Sequence, residues 1–90
     1  MREALIVSTA RTPIGKAYRG AFNNTTSPTM GGYVIKHAVE RAGVDSAEVE
    51  DVIMGAAIQM GSGFQNVARQ SLIKAGLPDS VAGQSIDRQC

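Results

Sequence analysis

The sequence has no tryptophan, and aromatic residues make up only 4% of it. Its core must therefore come from Ala, Val, Ile, Leu and Met, and over 90 residues such a core is small, as for a part of something larger. A single cysteine excludes an internal disulfide framework and fits a reducing compartment. With one histidine beside that one cysteine, no metal-ligand spacing exists and no metal is expected. The net charge is +1 and the Lys and Arg residues are scattered, which argues against a nucleic-acid partner held through its phosphates. No apolar stretch approaches the roughly 20 residues of a membrane span. The apolar run after Met1-Arg2-Glu3 is too short for a signal peptide, so a cytoplasmic protein without membrane contact is expected. What is present, 43% hydrophobic and 19% charged residues, is the balance of a globular chain and excludes disorder. Its length suits one small domain.

Ala4-Leu5-Ile6-Val7 is apolar at consecutive positions, which predicts a strand covered on both faces. A long loop rich in Asn, Thr and Ser follows, punctuated by Pro13 and Gly15. A helix is predicted next, capped by Ser27 or Thr29 with Pro28 in its first turn. Met30, Val34, Ala38 and Ala42 form its apolar stripe, widened by Ile35 and Val39, and Gly43 ends it. Gly31 and Gly32 weaken its first turn by roughly 1 kcal/mol each relative to Ala, which implies a close neighbour that needs them small. Asp45-Ser46-Ala47-Glu48 has capping-box spacing and predicts one short helical turn. Val52–Ile58 reads as a second buried strand. A second helix starts near Asn66, buries Ala68, Leu72 and Ala75 with Val67 and Ile73 alongside, and stops at Gly76 and Pro78. Val81–Asp87 reads as a third, weaker strand. The alternation strand, helix, strand, helix, strand predicts an α/β architecture.

Cys90 follows Ser85-Ile86-Asp87-Arg88-Gln89 and is the candidate nucleophile. Strand ends that lead into helices present side chains at the sheet edge, where sites cluster, and a helix N-terminus favours a thiolate. On spacing alone an inert cysteine is the simpler reading, and both stand at this point. An α-carboxylate at residue 90 would disfavour the thiolate. Prenylation is excluded because that signal places the cysteine fourth from the end. His37 lies within the first helix between Lys36 and Ala38 and reads as a partly solvated structural residue rather than a base. Gly61-Ser62-Gly63 precedes a helix, yet matches neither the Walker nor the dinucleotide pattern. Arg11, Lys16 and Arg19 read as loop and subunit contacts.

Taken in order, several segments resemble the N-terminal stretch of a thiolase. Ile6-Val7-Ser8-Thr9-Ala10-Arg11-Thr12-Pro13-Ile14-Gly15-Lys16 is similar to that family's opening strand and Arg-Thr-Pro-x-Gly loop. Ala42-Gly43-Val44 and Val49-Glu50-Asp51-Val52-Ile53-Met54-Gly55 resemble its first helix end and second strand. Gly61-Ser62-Gly63-Phe64-Gln65-Asn66-Val67-Ala68-Arg69-Gln70 is similar to its Gly-x-Gln-Asn-x-Ala-Arg segment with Phe64 intervening, and Ala75-Gly76-Leu77-Pro78 is also typical. The resemblance implies a layered αβαβα fold, of which residues 1–90 are the first part of the N-terminal domain.

It further implies an acyltransferase that moves an acyl group, acetyl above all, between coenzyme A and Cys90, in thiolysis of 3-ketoacyl-CoA or condensation of two acyl-CoA. Cys90 is the one catalytic residue it carries over. The expected histidine base, second cysteine and coenzyme A loop domain match nothing within residues 1–90. Acyl-CoA is implied as substrate with no permanently bound cofactor, in a homodimer or homotetramer with subunit contact near residues 61–66. Asp87 stands where many members carry Asn, and Arg88-Gln89-Cys90 looks more like the degradative branch. Two rivals are a ketoacyl-synthase-like condensing enzyme, which the Arg11-Thr12-Pro13-Ile14-Gly15 opening disfavours, and a small α/β interaction domain with an incidental cysteine. Because the core is small, residues 1–90 produced alone are expected to be inactive and to melt without a cooperative transition; a sharp calorimetric transition of the isolated peptide would contradict this.

Overall fold

Thr26 opens the first helix: its hydroxyl accepts the N–H of Thr29 at 3.3 Å, while Pro28 occupies the first turn, where no helical donor is required. In a computed structural model, which describes residues 1–89, helix α1 then runs over Ser27–Ala42. Gly43 ends it in the left-handed region at φ 70, as its position in the sequence predicts. The cap is thus one residue earlier than Ser27. The predicted stripe is only half covered, and Gly32 is the buried residue of the helix.

A short 3-10 turn at Ser46–Glu48 is capped by Asp45, whose carboxylate accepts the N–H of Ala47 at 3.0 Å. Strand β1 covers Asp51–Gly55, helix α2 covers Val67–Lys74, and strand β2 covers Ala82–Ile86. Both strands are shorter than the apolar runs that predict them. They pair in parallel, Asp51 opposite Ala82 through Gly55 opposite Ile86, with α2 as the crossover.

Alternation places Val52, Met54, Gly83 and Ser85 on the half-buried face, while Ile53 and Ile86 point to the exposed one. Gly83 is needed there. A Cβ on it would stand 2.8 Å from the Arg69 nitrogen and 3.0 Å from Leu72 Cδ2, so α2 can lie directly on β2.

The predicted first strand does not form. Residues 4–7 carry no regular structure, and Leu5, Ile6 and Val7 are 76%, 90% and 70% exposed. A strand buried on both faces needs a neighbouring strand and two covering layers, and the β1-β2 sheet supplies residues 4–7 with neither. Among the described residues the order is therefore helix, strand, helix, strand.

The core gathers where α2 ends. The N–H of Leu77 reaches back to the carbonyl of Leu72 at 3.1 Å and that of Gly76 to Ile73 at 3.1 Å, with Gly76 left-handed at φ 87. This double closure of a helix end folds Leu77 onto Leu72. Val81 completes the cluster, against which Ile35, Val49, Val52 and Ala75 pack. Ile73, on the opposite side of α2, is 48% exposed, which corrects its placement on the buried face.

Helices α1 and α2 meet at Gly31 and Gly32. A Cβ on Gly31 would collide with Ser71, standing 2.9 Å from its Cβ, and one on Gly32 would stand 3.0 Å from Lys74 Cβ. The fully buried Ser71 is itself small enough for this crossing. Gly31→Ala is expected to destabilise the intact protein by about 1–3 kcal/mol despite its better helix propensity. Most of that loss should vanish in a Ser71→Gly background, a coupling readable by denaturant unfolding of the four proteins in the cycle.

Candidate functional site at the carboxyl edge of the sheet

In a parallel α/β sheet the loops beyond the carboxyl ends of the strands form the edge at which ligands bind. Here that edge is made by the chain leaving Gly55 and Ile86 and by the start of α2. The two exits are tied together. The N–H of Ala56 donates to the Ile86 carbonyl at 2.9 Å, and the Gln89 side-chain amide donates to the Ala57 carbonyl at 2.7 Å. The path from β2 to residue 89 is therefore held along the path leaving β1. The candidate nucleophile Cys90 lies outside the described residues.

Behind this edge stands a polar node centred on Asn66. Asn66 adopts a left-handed backbone at φ 64, which Asn tolerates better than most residues, and caps α2. Its Oδ1 accepts the N–H of Arg69 at 3.2 Å and is 2.9 Å from the Ser85 hydroxyl, which donates to it. Its Nδ2 donates to the Gly83 carbonyl at 2.9 Å. Ser85 Oγ in turn accepts the N–H of Ala68 at 3.0 Å, satisfying an orphan donor of the first helical turn. Arg69 reaches the carbonyl of Val81 at 2.5 Å. One side chain at the head of α2 thus reaches Gly83 and Ser85 together, and the residues making these bonds are partly buried.

Other predicted residues are drawn elsewhere. The Ser62 hydroxyl accepts the Ser27 N–H at 3.0 Å, so the Gly61-Ser62-Gly63 turn braces the start of α1. His37 stacks on Tyr33 within α1, ring centroids 4.3 Å apart at 50°, and takes no part in the edge. Arg11, Lys16 and Arg19 are exposed on the opening loop. A cleft of about 240 Å³ lies at the edge, lined mainly by Met30, Met54, Ile58, Val67 and the backbone of Gly31 and Gly55. Among the described residues no cluster of His, Cys, Asp or Glu could hold a metal ion.

In the sequence Asn66 is legible as a helix start and as one member of the family-like Gly61–Gln70 segment, while Ser85 carries no role. The cap preference of Asn was the available signal for the first; the second has none, because its partner lies across the fold. Removing the Asn66 side chain separates backbone from bonding effects. Asn66→Gly keeps the left-handed turn, whereas Asn66→Ala adds strain of about 1 kcal/mol to the same lost bonds. The intact Ala variant should therefore melt lower than the Gly variant in calorimetry.

Comparison with known proteins agrees with this architecture. The chain matches the thiolase N-terminal domain over residues 4–90. It is 48% identical over its whole length to an acetyl-CoA acetyltransferase of Cupriavidus necator and 44% identical to one of Escherichia coli. It spans 22% of the length of each. In structure it is similar to a thiolase of Ascaris suum solved in complex with coenzyme A, with a TM-score of 0.81 and 33% identity over 90% of this chain and 21% of that one. With an α/β arrangement shared with a solved thiolase and a family match that runs nearly end to end, this chain belongs to the thiolase family, in its N-terminal domain.

Proposed function

We propose that the protein containing this chain is a thiolase-type acyltransferase, with residues 1–90 as part of its N-terminal domain and Cys90 as its nucleophile. The observation that carries this reading is the family match through residue 90, joined to a fold that leads the chain from β2 along the carboxyl edge as far as Gln89. The relatives' shared description as acetyl-CoA acetyltransferases favours acetyl as the group transferred.

The chemistry suits a thiol. The Cys90 thiolate attacks the thioester carbonyl of acyl-CoA, a tetrahedral adduct collapses, and the coenzyme A thiolate leaves and takes up a proton. A thioester is exchanged for a thioester, so the step is close to balanced in either direction. In thiolysis the same thiolate attacks the 3-keto carbonyl, and the bond between the α and β carbons breaks. The released carbanion is protonated to acetyl-CoA, and a second coenzyme A thiolate lifts the acyl group off Cys90. His37, stacked on Tyr33, does not serve as base, and that role falls to residues beyond this chain. Coenzyme A and acyl-CoA act as substrates, with no permanently bound group.

Three finer assignments belong to the same reading. The enzyme works in fatty acid metabolism, in the cytoplasm, and as a homodimer or homotetramer. The absence, among the described residues, of any helix long and apolar enough to cross a membrane is compatible with the second. The 59% exposed Phe64 supports the third, with subunit contact placed at residues 61–66.

In the complete protein, Cys90→Ser should abolish acyl-enzyme formation from radiolabelled acetyl-CoA and lower thiolysis by at least about 10³-fold. Label that persists on another residue of the variant would refute the assignment.

A further inference from the structure

We infer that Asn66 and Ser85 form a latch that positions the nucleophile, by holding the carboxyl half of β2 against the head of α2. Cys90 takes its role as nucleophile from the acyltransferase reading above. The two ends of β2 are secured differently. Its amino end is anchored by the apolar core, where Val81 packs with Leu72 and Leu77. Its carboxyl half has no apolar anchor of that kind: Gly83 has no side chain, Ser85 is polar, and Ile86 is 37% exposed.

On the covered face, the node takes over from the core. The Asn66 side chain uses both its amide oxygen and its amide nitrogen on this region, accepting from Ser85 Oγ at 2.9 Å and donating to the Gly83 carbonyl at 2.9 Å. Ser85 Oγ also receives the Ala68 N–H at 3.0 Å. These bonds are mutually dependent, because Asn66 Oδ1 also caps Arg69 and its left-handed backbone aims the amide at β2.

Moving β2 away from α2 breaks the three bonds between them at once, leaving only the cap on Arg69. Sliding it by one residue turns Ser85 to the exposed face. Ser85, Ile86 and Gln89 then act as successive fixings on the path to Cys90, the first to α2, the second through its carbonyl to the N–H of Ala56 and the third to the carbonyl of Ala57. A displacement of about 1 Å in a reacting group can lower a rate by roughly 100-fold. Asn66 and Ser85 are thus positioning residues, touching β2 and α2 rather than substrate.

The test uses the complete enzyme with two readouts: the rate of Cys90 acylation by acetyl-CoA in rapid-quench mass spectrometry, and the rate of Cys90 alkylation by iodoacetamide. Asn66→Asp keeps the helix cap and tolerates the left-handed backbone, but turns the donor facing the Gly83 carbonyl into an acceptor. Asn66→Asp and Ser85→Ala should each slow acylation by about 10–100-fold while KM for acetyl-CoA shifts by less than about threefold. The double variant should be little worse than either single, since both remove one unit. Ser85→Thr, which keeps the hydroxyl, should restore the acylation rate to within about threefold of the parent.

Alkylation should slow in parallel in Asn66→Asp and Ser85→Ala. Parent-like acylation in both variants would overturn the latch and leave the acyltransferase reading intact. A parent enzyme that never acylates, but whose alkylation falls in the variants, would overturn that reading and support the latch. If Ser85→Ala does not fold, Asn66→Asp and Ser85→Thr decide: loss in the first with recovery in the second supports the latch, and parent-like rates in both overturn it.

Discussion

The structure turns on the contact between the head of α2 and the strand β2 that lies beneath it. The contact is possible because Gly83 has no Cβ, which lets the backbone at Arg69 come within a distance that any side chain would forbid. Once the helix is that close, its first turn has unpaired N–H groups facing a strand, and the Asn66 amide and Ser85 hydroxyl satisfy two of them. Apolar packing and polar bonding therefore divide β2 between them, Val81 securing its start and the node its finish.

The same economy of size governs the other helix. Gly31 and Gly32 weaken α1 locally, yet Gly31 admits Ser71 of α2 to a distance at which a methyl group would collide, and Gly32 lets Lys74 approach to where one would be tightly crowded. Such close crossings suit a chain almost without aromatic residues, which cannot fill space with large rings and must reduce the space instead. The result is a small βαβ unit with one face of its sheet covered and the other presenting Ile53 and Ile86.

Much of this was legible in local sequence. Gly43 and Gly76 ended helices where a left-handed residue is wanted, Asp45 capped its turn, and the apolar spacing of Val67, Ala68 and Leu72 marked the buried side of α2. Ala4–Val7 misled for a physical reason: an apolar run reports that a segment wants burial, not that partners are present to provide it. Ile73 misled in a smaller way, because apolarity next to a stripe does not place a residue inside it. The family likeness was legible too, from ordered segments individually too short to decide anything.

By itself, then, the sequence determined the α/β class, the two helices with their carboxyl-terminal ends and the two strands that pair, and it singled out Cys90 as a candidate, because each depends on neighbours within a few residues or on an ordered pattern along the chain. Tertiary structure alone decided that Asn66, Gly83 and Ser85 form one unit, and that Gln89 is fastened to Ala57. Those residues lie 17, 19 and 32 positions apart in the pairs that matter, and no local preference encodes a hydrogen bond across that separation. Only the packing of α2 onto the two strands brings them within reach.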